Sequence, residues 1–156
     1  MNEDDLDGIE ERDWTVRALV YTFIAQHERP PTVGEAAAAL NVTHDRVALA
    51  FQRLNRRHAV FLEPGAQTIR MAHPFSAIPT SFWVRANGHS YWANCAWDML
   101  GIPAALHTDA EIEARVADTQ HTGVTLDVIQ NRVHGHGEVV HFPLPFHQWY
   151  DDLVFT

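Results

Sequence analysis

The spacing of apolar residues divides the chain into a helical part and a strand-rich part, near residue 59. Before that point apolar side chains recur about every 3.6 residues, and after it short β-branched and aromatic runs dominate. Helices grouped in one part of a chain and strands in another are typical of an α+β fold. A length of 156 residues limits this fold to one domain or two very small ones.

The helical part has the order of a winged helix-turn-helix, which is three short helices followed by a β-hairpin. Pro30-Pro31 ends the first helix, and Thr32 with Glu35 forms a capping box that begins the second. Residues 1–13 hold seven carboxylates and one arginine, so we expect them to be a solvated acidic tail. The predicted helices span about 14–29, 32–40 and 44–58, and the predicted strands span 59–62 and 67–71.

Arginines on the third helix raise the alternative of DNA binding. At about 100° per residue Arg46, Arg53 and Arg57 lie on one side of this helix, where a recognition helix would contact phosphates. However, the chain carries a formal net charge of −9, which argues against a general polyanion binder. We therefore expect these arginines to be surface charge rather than a DNA contact.

The strand-rich part begins after a linker predicted at residues 74–79. Asn87-Gly88 separates two aromatic runs and is typical of the two-residue turn of a β-hairpin. A short helix follows, with Asn94 as its N-cap and with Gly101 and Pro103 at its end. This part is therefore expected to be a small mixed or antiparallel sheet domain with a short cysteine-bearing helix. Its predicted strands span 81–86, 89–93, 111–116, 124–128 and 139–142.

Cys95 and Asp98 stand one helical turn apart in that short helix. With Asn94 as the N-cap, Cys95 would be the first helical residue, where free amides and the helix dipole stabilise a thiolate. A soft thiolate beside a proton donor suits capture of a soft metal that carries a carbon group, followed by protonation of that carbon. The competing interpretation is a buried structural cysteine and a surface aspartate. Neighbouring aromatic side chains would exclude water from this pair: Phe82, Trp83, Tyr91, Trp92 and Trp97.

Cys95 is the only cysteine in the sequence. One cysteine forms no intramolecular disulfide and supplies no cysteine-rich zinc site, so a reducing compartment, the cytoplasm, is expected. No run of about 18 apolar residues is present to span a bilayer. The acidic N-terminus also differs from a secretory signal peptide.

Histidines near the C-terminus offer a second possible metal site. His134 and His136 are followed by His141 and His147, and imidazole is a ligand for zinc or copper. No cysteine or carboxylate completes a recognisable ligand spacing, and the glycines around His136 indicate a loop. We therefore expect surface or core histidines rather than a metal site.

With these features the sequence resembles the organomercurial lyases, also called alkylmercury lyases. The motifs that carry the resemblance are the winged-helix-like start, the segment FSAIPT at 75–80, the aromatic hairpin and the segment CAWDMLGIPA at 95–104. The resemblance implies a winged-helix-like domain over 14–75, a lyase-like domain over 76–156, and cleavage of carbon–mercury bonds by protonolysis. Cys95 matches the family's first catalytic cysteine and Asp98 its aspartate, both of which would contact mercury.

The sequence departs from that family at its other cysteines. The second catalytic cysteine would fall immediately after Thr156, and a further family cysteine aligns with Val116. Three explanations stay open: a truncated gene, a divergent lyase that uses small thiols, or a member that no longer catalyses. We expect a lyase-family protein of reduced activity, and the alternative is a metal-sensing or thiol-sensing winged-helix transcriptional regulator.

The resemblance also implies a substrate and acceptors for the product. The substrate would be an organomercurial small molecule, and no organic cofactor is implied. Small thiols would accept the Hg(II) that is released, and mercuric reductase would be the protein that receives this product.

Overall fold

The computed structural model describes residues 11–115, 123–142 and 144–149. Three helices come first along the chain. Eight strands, one further helix and a short 3-10 turn follow within the described residues, which confirms an α+β fold. No helix within these ranges combines the length and hydropathy needed to cross a membrane. The helices are α1 (Glu11–His27), α2 (Val33–Leu40), α3 (His44–Arg56) and α4 (Ala96–Leu106), and the 3-10 turn spans Phe146–Gln148.

Eight strands lie within the described residues and form a single sheet. They are β1 (Phe61–Leu62), β2 (Ile69–Ala72), β3 (Phe75–Ser76), β4 (Phe82–Ala86), β5 (His89–Ala93), β6 (Ala110–Arg115), β7 (Gly123–Ile129) and β8 (Arg132–His134). Their spatial order is β1-β2-β3-β5-β4-β6-β7-β8, and all neighbouring pairs are antiparallel. The sheet therefore runs from the hairpin after α3 to the last described strand.

The β3 strand continues the sheet through the segment that was predicted to be a linker. Phe75 and Ser76 pair with β2 on one side and with β5 on the other, so the linker prediction is wrong at these residues. Phe75 is buried, and its ring contacts the rings of Tyr21 and Tyr91. Burial of this aromatic ring explains why a proline-flanked segment joins the sheet. The division into domains near residue 75, and the winged-helix description of the first of them, stay predictions.

The capping box at the start of α2 is confirmed. The Thr32 hydroxyl accepts a hydrogen bond from the Glu35 amide at 3.2 Å, and the Glu35 carboxylate accepts one from the Thr32 amide at 2.8 Å. Arg29 also donates two hydrogen bonds to Glu35, at 2.6 and 2.9 Å. The Arg29 guanidinium, followed by the Thr32 amide, lowers the pKa of Glu35 to about 2.

An ion pair between α1 and α3 corrects two predictions about charged residues. Asp13, predicted to belong to a solvated tail, is 1% exposed and lies inside α1. Its carboxylate accepts hydrogen bonds from Nε and Nη2 of Arg53, both at 2.8 Å. Because a buried carboxylate requires a partner of opposite charge, Arg53 is drawn inward to 8% exposure. Arg53 is therefore neither surface charge nor placed to contact DNA phosphates, whereas Arg46 and Arg57 are exposed.

The hairpin at Asn87-Gly88 is confirmed. Ala86 pairs with His89, which leaves a two-residue turn between β4 and β5. Both turn residues have positive φ, 52° at Asn87 and 78° at Gly88. This conformation is the one that asparagine followed by glycine favours, because it matches the twist of the two strands.

The last part of the sheet differs from the prediction. Val139 to Phe142, predicted to be a strand, pair with no strand among the described residues. Instead β8 pairs with β7 across a tight turn at Gln130-Asn131, where φ is 51° and 61°. This turn lacks glycine, so it carries no strong sequence signal. Val116, the end of a predicted strand, and residues 150–156 lie outside the described residues.

Candidate active site

The helix α4 places Cys95 and Asp98 on one turn, beside the central strands of the sheet. Cys95 is the N-cap, with φ −144° and ψ 177°, so the cap predicted at Asn94 is one residue too early. Asp98 is therefore the third helical residue. Because α4 packs against β4, β5 and β6, Asp98 is only 9% exposed, whereas Cys95 is half-buried.

The same helix continues beyond the residues that were predicted to end it. α4 runs through Gly101 and Pro103 to Leu106, and His107 ends it in a left-handed conformation with φ 51°. A Cβ at Gly101 would lie 3.0 Å from the Cβ of Pro74, so glycine allows the helix to approach the chain before β3. Pro103 is buried in the core, and this packing offsets the backbone hydrogen bond that proline cannot donate.

Cys95 is a thiol at neutral pH. Burial, followed by the negative charge of Asp98, raises the pKa of the Cys95 thiol to about 11. The backbone amides of Asp98 and Trp97 act in the opposite direction, but they lower this pKa by less. The prediction of a thiolate stabilised by the helix N-terminus is therefore wrong, because desolvation disfavours the charged sulfur more than the amides favour it.

Asp98 contacts a histidine that sequence reasoning missed. The Nδ1 atom of His73 lies 3.3 Å from Oδ2 of Asp98. His73 stands between β2 and β3, and it precedes Pro74 through a cis peptide bond. The two residues are 25 positions apart, and no spacing rule joins them. Only the pairing of β2, β3 and β5 brings the histidine to the first turn of α4.

His73 is itself in contact with α1. The Tyr21 hydroxyl donates a hydrogen bond to the carbonyl oxygen of His73 at 2.8 Å, and Arg17 donates to the Tyr21 hydroxyl at 3.1 Å. Burial raises the pKa of Tyr21, which keeps this hydroxyl protonated and able to donate. The ring of Phe61 packs edge-on against the imidazole, with centroids 5.2 Å apart. Hydrogen bonds through His73 therefore connect α1 to Asp98.

The aromatic residues around the site are arranged differently from the prediction. Trp83 and Trp92 pair with each other across β4 and β5. Because side chains alternate along a strand, they lie on the sheet face opposite to the buried Val84 and Tyr91. Trp97 is 56% exposed, and its ring packs near Phe142, with centroids 6.3 Å apart. Trp83 and Trp92 therefore do not cover the α4 face, and Trp97 only partly shields the start of the helix.

An apolar cavity of about 540 Å³ lies beside α4, above β6, β7 and β8. Ala96, the residue that follows Cys95, lines it together with Met99 and Leu100 of the same helix. The sheet contributes Phe82 and Leu126 among other residues. The cavity therefore offers apolar space next to the first turn of α4.

The four C-terminal histidines are all exposed: His134, His136, His141 and His147. Over residues 11–115, 123–142 and 144–149, no three histidine, cysteine, aspartate or glutamate side chains are grouped so as to hold a metal ion. Cys95 and Asp98 lie on one turn of α4, and sulfur is the ligand type that soft metal ions prefer.

Comparisons with known proteins define the class to which this fold and site belong. The model of the alkylmercury lyase family, MerB, matches residues 75–156, which is more than half of the chain. The chain therefore belongs to the alkylmercury lyase family. The matched residues include the whole of β3 to β8 and α4, with Cys95 and Asp98.

Solved structures show the same fold. The mercury-bound form of MerB2 matches with a TM-score of 0.63 and 21% sequence identity, over 85% of this chain and 63% of that chain. This chain thus spans less than two thirds of the length of that structure. No curated protein matches the sequence.

Proposed function

We propose that this protein cleaves the carbon–mercury bond of organomercurials by protonolysis, with Cys95 as the mercury ligand and Asp98 as the proton carrier. The observation that carries the proposal is a half-buried thiol and a buried carboxyl group on the same turn of α4, within the segment that matches the family model. Sulfur is the ligand that soft metals such as mercury prefer. A carboxyl group one turn away can reach an atom bound to that metal.

The first step binds the organomercurial and moves a proton. Because the pKa of Cys95 is about 11, the sulfur must lose its proton as it bonds to mercury. Asp98 is the neighbouring base, and it accepts this proton. The thiol, the carboxylate and R–Hg–X give R–Hg–S–Cys95, a protonated Asp98 and free X⁻, so charge and atoms balance.

The second step breaks the carbon–mercury bond. Protonated Asp98 delivers its proton to the carbon, the electron pair of that bond forms the new C–H bond, and the hydrocarbon leaves. Hg(II) remains on the Cys95 sulfur with one positive charge, which a second thiolate neutralises. Since the sequence holds one cysteine, a small thiol from solution supplies this ligand. We therefore propose a lower activity than that of a lyase with two catalytic cysteines.

The apolar cavity beside α4 supports the same function. Ala96, one of its lining residues, follows Cys95 in the chain, and the lining includes neither Cys95 nor Asp98. An alkyl or aryl group on that mercury would leave water for this space, which favours binding by about 25 cal/mol per Å² of buried apolar surface. The proposed setting is the cytoplasm, in mercury resistance, with mercuric reductase as the acceptor of Hg(II).

The regulator alternative is weakened by the ion pair between Asp13 and Arg53. Of the three arginines that were predicted to flank a DNA-reading surface, Arg53 is buried and its guanidinium is bonded to a carboxylate. The exposed arginines Arg46, Arg56 and Arg57 would have to provide the phosphate contacts without Arg53. No feature of the described residues favours this alternative over the lyase.

The proposal is tested by measuring hydrocarbon release. The protein is incubated with phenylmercury and an excess of a small thiol, and benzene is quantified by gas chromatography. Wild type should release benzene above a protein-free control, and Cys95→Ala should fall to that control. The rate of benzene release by Asp98→Asn should be lower by about 100-fold or more, as expected for removal of a general acid. Asp45→Asn, at an exposed aspartate in the first turn of α3, should keep the wild-type rate. Equal release by wild type and Cys95→Ala would refute the proposal.

A further inference from the structure

We infer that His73 is a positioning residue for Asp98, and that α1 holds His73 in the place this requires. The consequence for catalysis rests on the proposed function. The positioning itself rests on contacts of the described residues and can be measured without a substrate.

The contact between His73 and Asp98 restrains the Asp98 side chain. Nδ1 of His73 lies 3.3 Å from Oδ2 of Asp98, and because an ionised carboxylate only accepts hydrogen bonds, the tautomer with hydrogen on Nδ1 is the one that donates to it. The first torsion of an aspartate has three staggered minima and the last has a broad one, and a bond to one carboxylate oxygen restrains both torsions. The other oxygen then keeps a constant position relative to the neighbouring Cys95.

His73 can act in this way because Tyr21 holds its backbone and Phe61 packs against its ring. Its carbonyl oxygen accepts the Tyr21 hydrogen bond. Arg17 holds Tyr21 by a hydrogen bond and by a cation–π contact, with its Cζ 4.6 Å from the ring centroid, and it also donates to the carbonyl of Ala59 at 3.3 Å. The α1 helix therefore supports the candidate site through His73.

A second histidine–carboxylate pair provides a matched control. Nδ1 of His89 lies 3.2 Å from Oε1 of Glu28, and the two side chains are 39% and 46% exposed. The side chain of His73 is 41% exposed, so the two histidines are alike in contact and accessibility. They differ in their partner, since Glu28 is not on α4. An effect seen at His73 and absent at His89 is therefore not a general consequence of removing a half-exposed histidine that contacts a carboxylate.

The first experiment measures the Asp98 side chain in the free protein. Three-bond NMR couplings from the backbone nitrogen and carbonyl carbon to Cγ of Asp98 report whether its first torsion is fixed. We expect one fixed rotamer in wild type, His73→Asn and His89→Leu, because asparagine retains a donor near the place of Nδ1. His73→Leu should show averaged couplings. Unchanged couplings in His73→Leu would overturn the inference.

The second experiment separates mercury capture from bond cleavage. The amount of Cys95 bound by phenylmercury at equilibrium is measured by intact-protein mass, and benzene release is measured in parallel. His73→Leu should capture as much as wild type but release benzene at least about tenfold more slowly, and His73→Asn should recover most of the rate. Equal loss of capture and release in His73→Leu would indicate general disruption and would also overturn the inference.

If wild type releases no benzene, the proposed function fails, while the couplings still decide whether His73 positions Asp98.

Discussion

Asp13 on α1 and Arg53 on α3 form a buried, doubly hydrogen-bonded ion pair with both distances at 2.8 Å. The pair joins two helices whose contact forms part of the N-terminal core. It also removes Arg53 from the surface. A residue that could serve nucleic-acid binding therefore serves the stability of the fold.

Breaking this ion pair should destabilise the protein strongly. Asp13→Asn leaves the Arg53 charge buried without its partner carboxylate, and such changes cost about 3–5 kcal/mol. Urea unfolding measures the loss. Arg85→Gln, at the exposed pair between Arg85 and Glu111, should cost about 1 kcal/mol or less. Equal losses for the two variants would contradict the structural role of Asp13.

The reactivity of Cys95 should follow a pKa near 11. Alkylation by iodoacetamide requires the thiolate, so its rate should rise about tenfold per pH unit across the neutral range. Because the Asp98 charge disfavours the thiolate, Asp98→Asn should lower the pKa of Cys95 and speed alkylation at pH 7. Asp45→Asn should leave the rate unchanged. A wild-type midpoint near the ordinary cysteine value of about 8.5 would contradict the effect of burial.

Two helical glycines should respond to alanine in opposite ways. At Gly34 a Cβ would meet its nearest neighbour, His44, at 3.4 Å, so Gly34→Ala should stabilise α2 by about 0.5 kcal/mol. At Gly101 a Cβ would lie 3.0 Å from the Pro74 Cβ, so crowding of about 1–3 kcal/mol should exceed the gain in helix propensity. Thermal unfolding compares the two. Stabilisation by Gly101→Ala would show that α4 does not depend on this close approach.

The capping box of α2 should make stability depend on pH in the acid range. The Arg29 guanidinium lowers the pKa of Glu35 from 4.5 to about 2, so the ionised carboxylate stabilises the folded state. This contribution is present above pH 4.5 and is lost as pH falls toward 2. The difference in unfolding free energy between wild type and Glu35→Gln should therefore shrink across this window. A difference that stays constant with pH would contradict the pairing.

Features of the fold that depend on neighbouring residues are predictable from the sequence. Asn87-Gly88 and the capping box at Thr32 and Glu35 are set by local backbone geometry, and both are confirmed. The position of Cys95 and Asp98 on one helical turn is equally local. The cap itself is shifted by one residue, because helix boundaries depend on how the chain leaves β5.

Features that depend on burial or on distant pairing are not predictable in this way. Asp13 and Arg53 are 40 positions apart, and the charge pattern alone indicates a solvated tail. His73 reaches Asp98 only through the sheet register. Desolvation raises the pKa of the Cys95 thiol, and the depth at which a side chain is buried cannot be read from the sequence. The last two of these relationships define the environment of the candidate site.

The central claim is that Cys95 captures an organomercurial and that Asp98 delivers the proton that frees the hydrocarbon. Its most direct test follows one turnover by intact-protein mass spectrometry after the protein is loaded with one equivalent of phenylmercury. In wild type the adduct on Cys95 should lose the mass of the phenyl group and keep mercury, whereas in Asp98→Asn the intact phenylmercury adduct should persist. A wild-type adduct that persists as long as that of Asp98→Asn would contradict the claim.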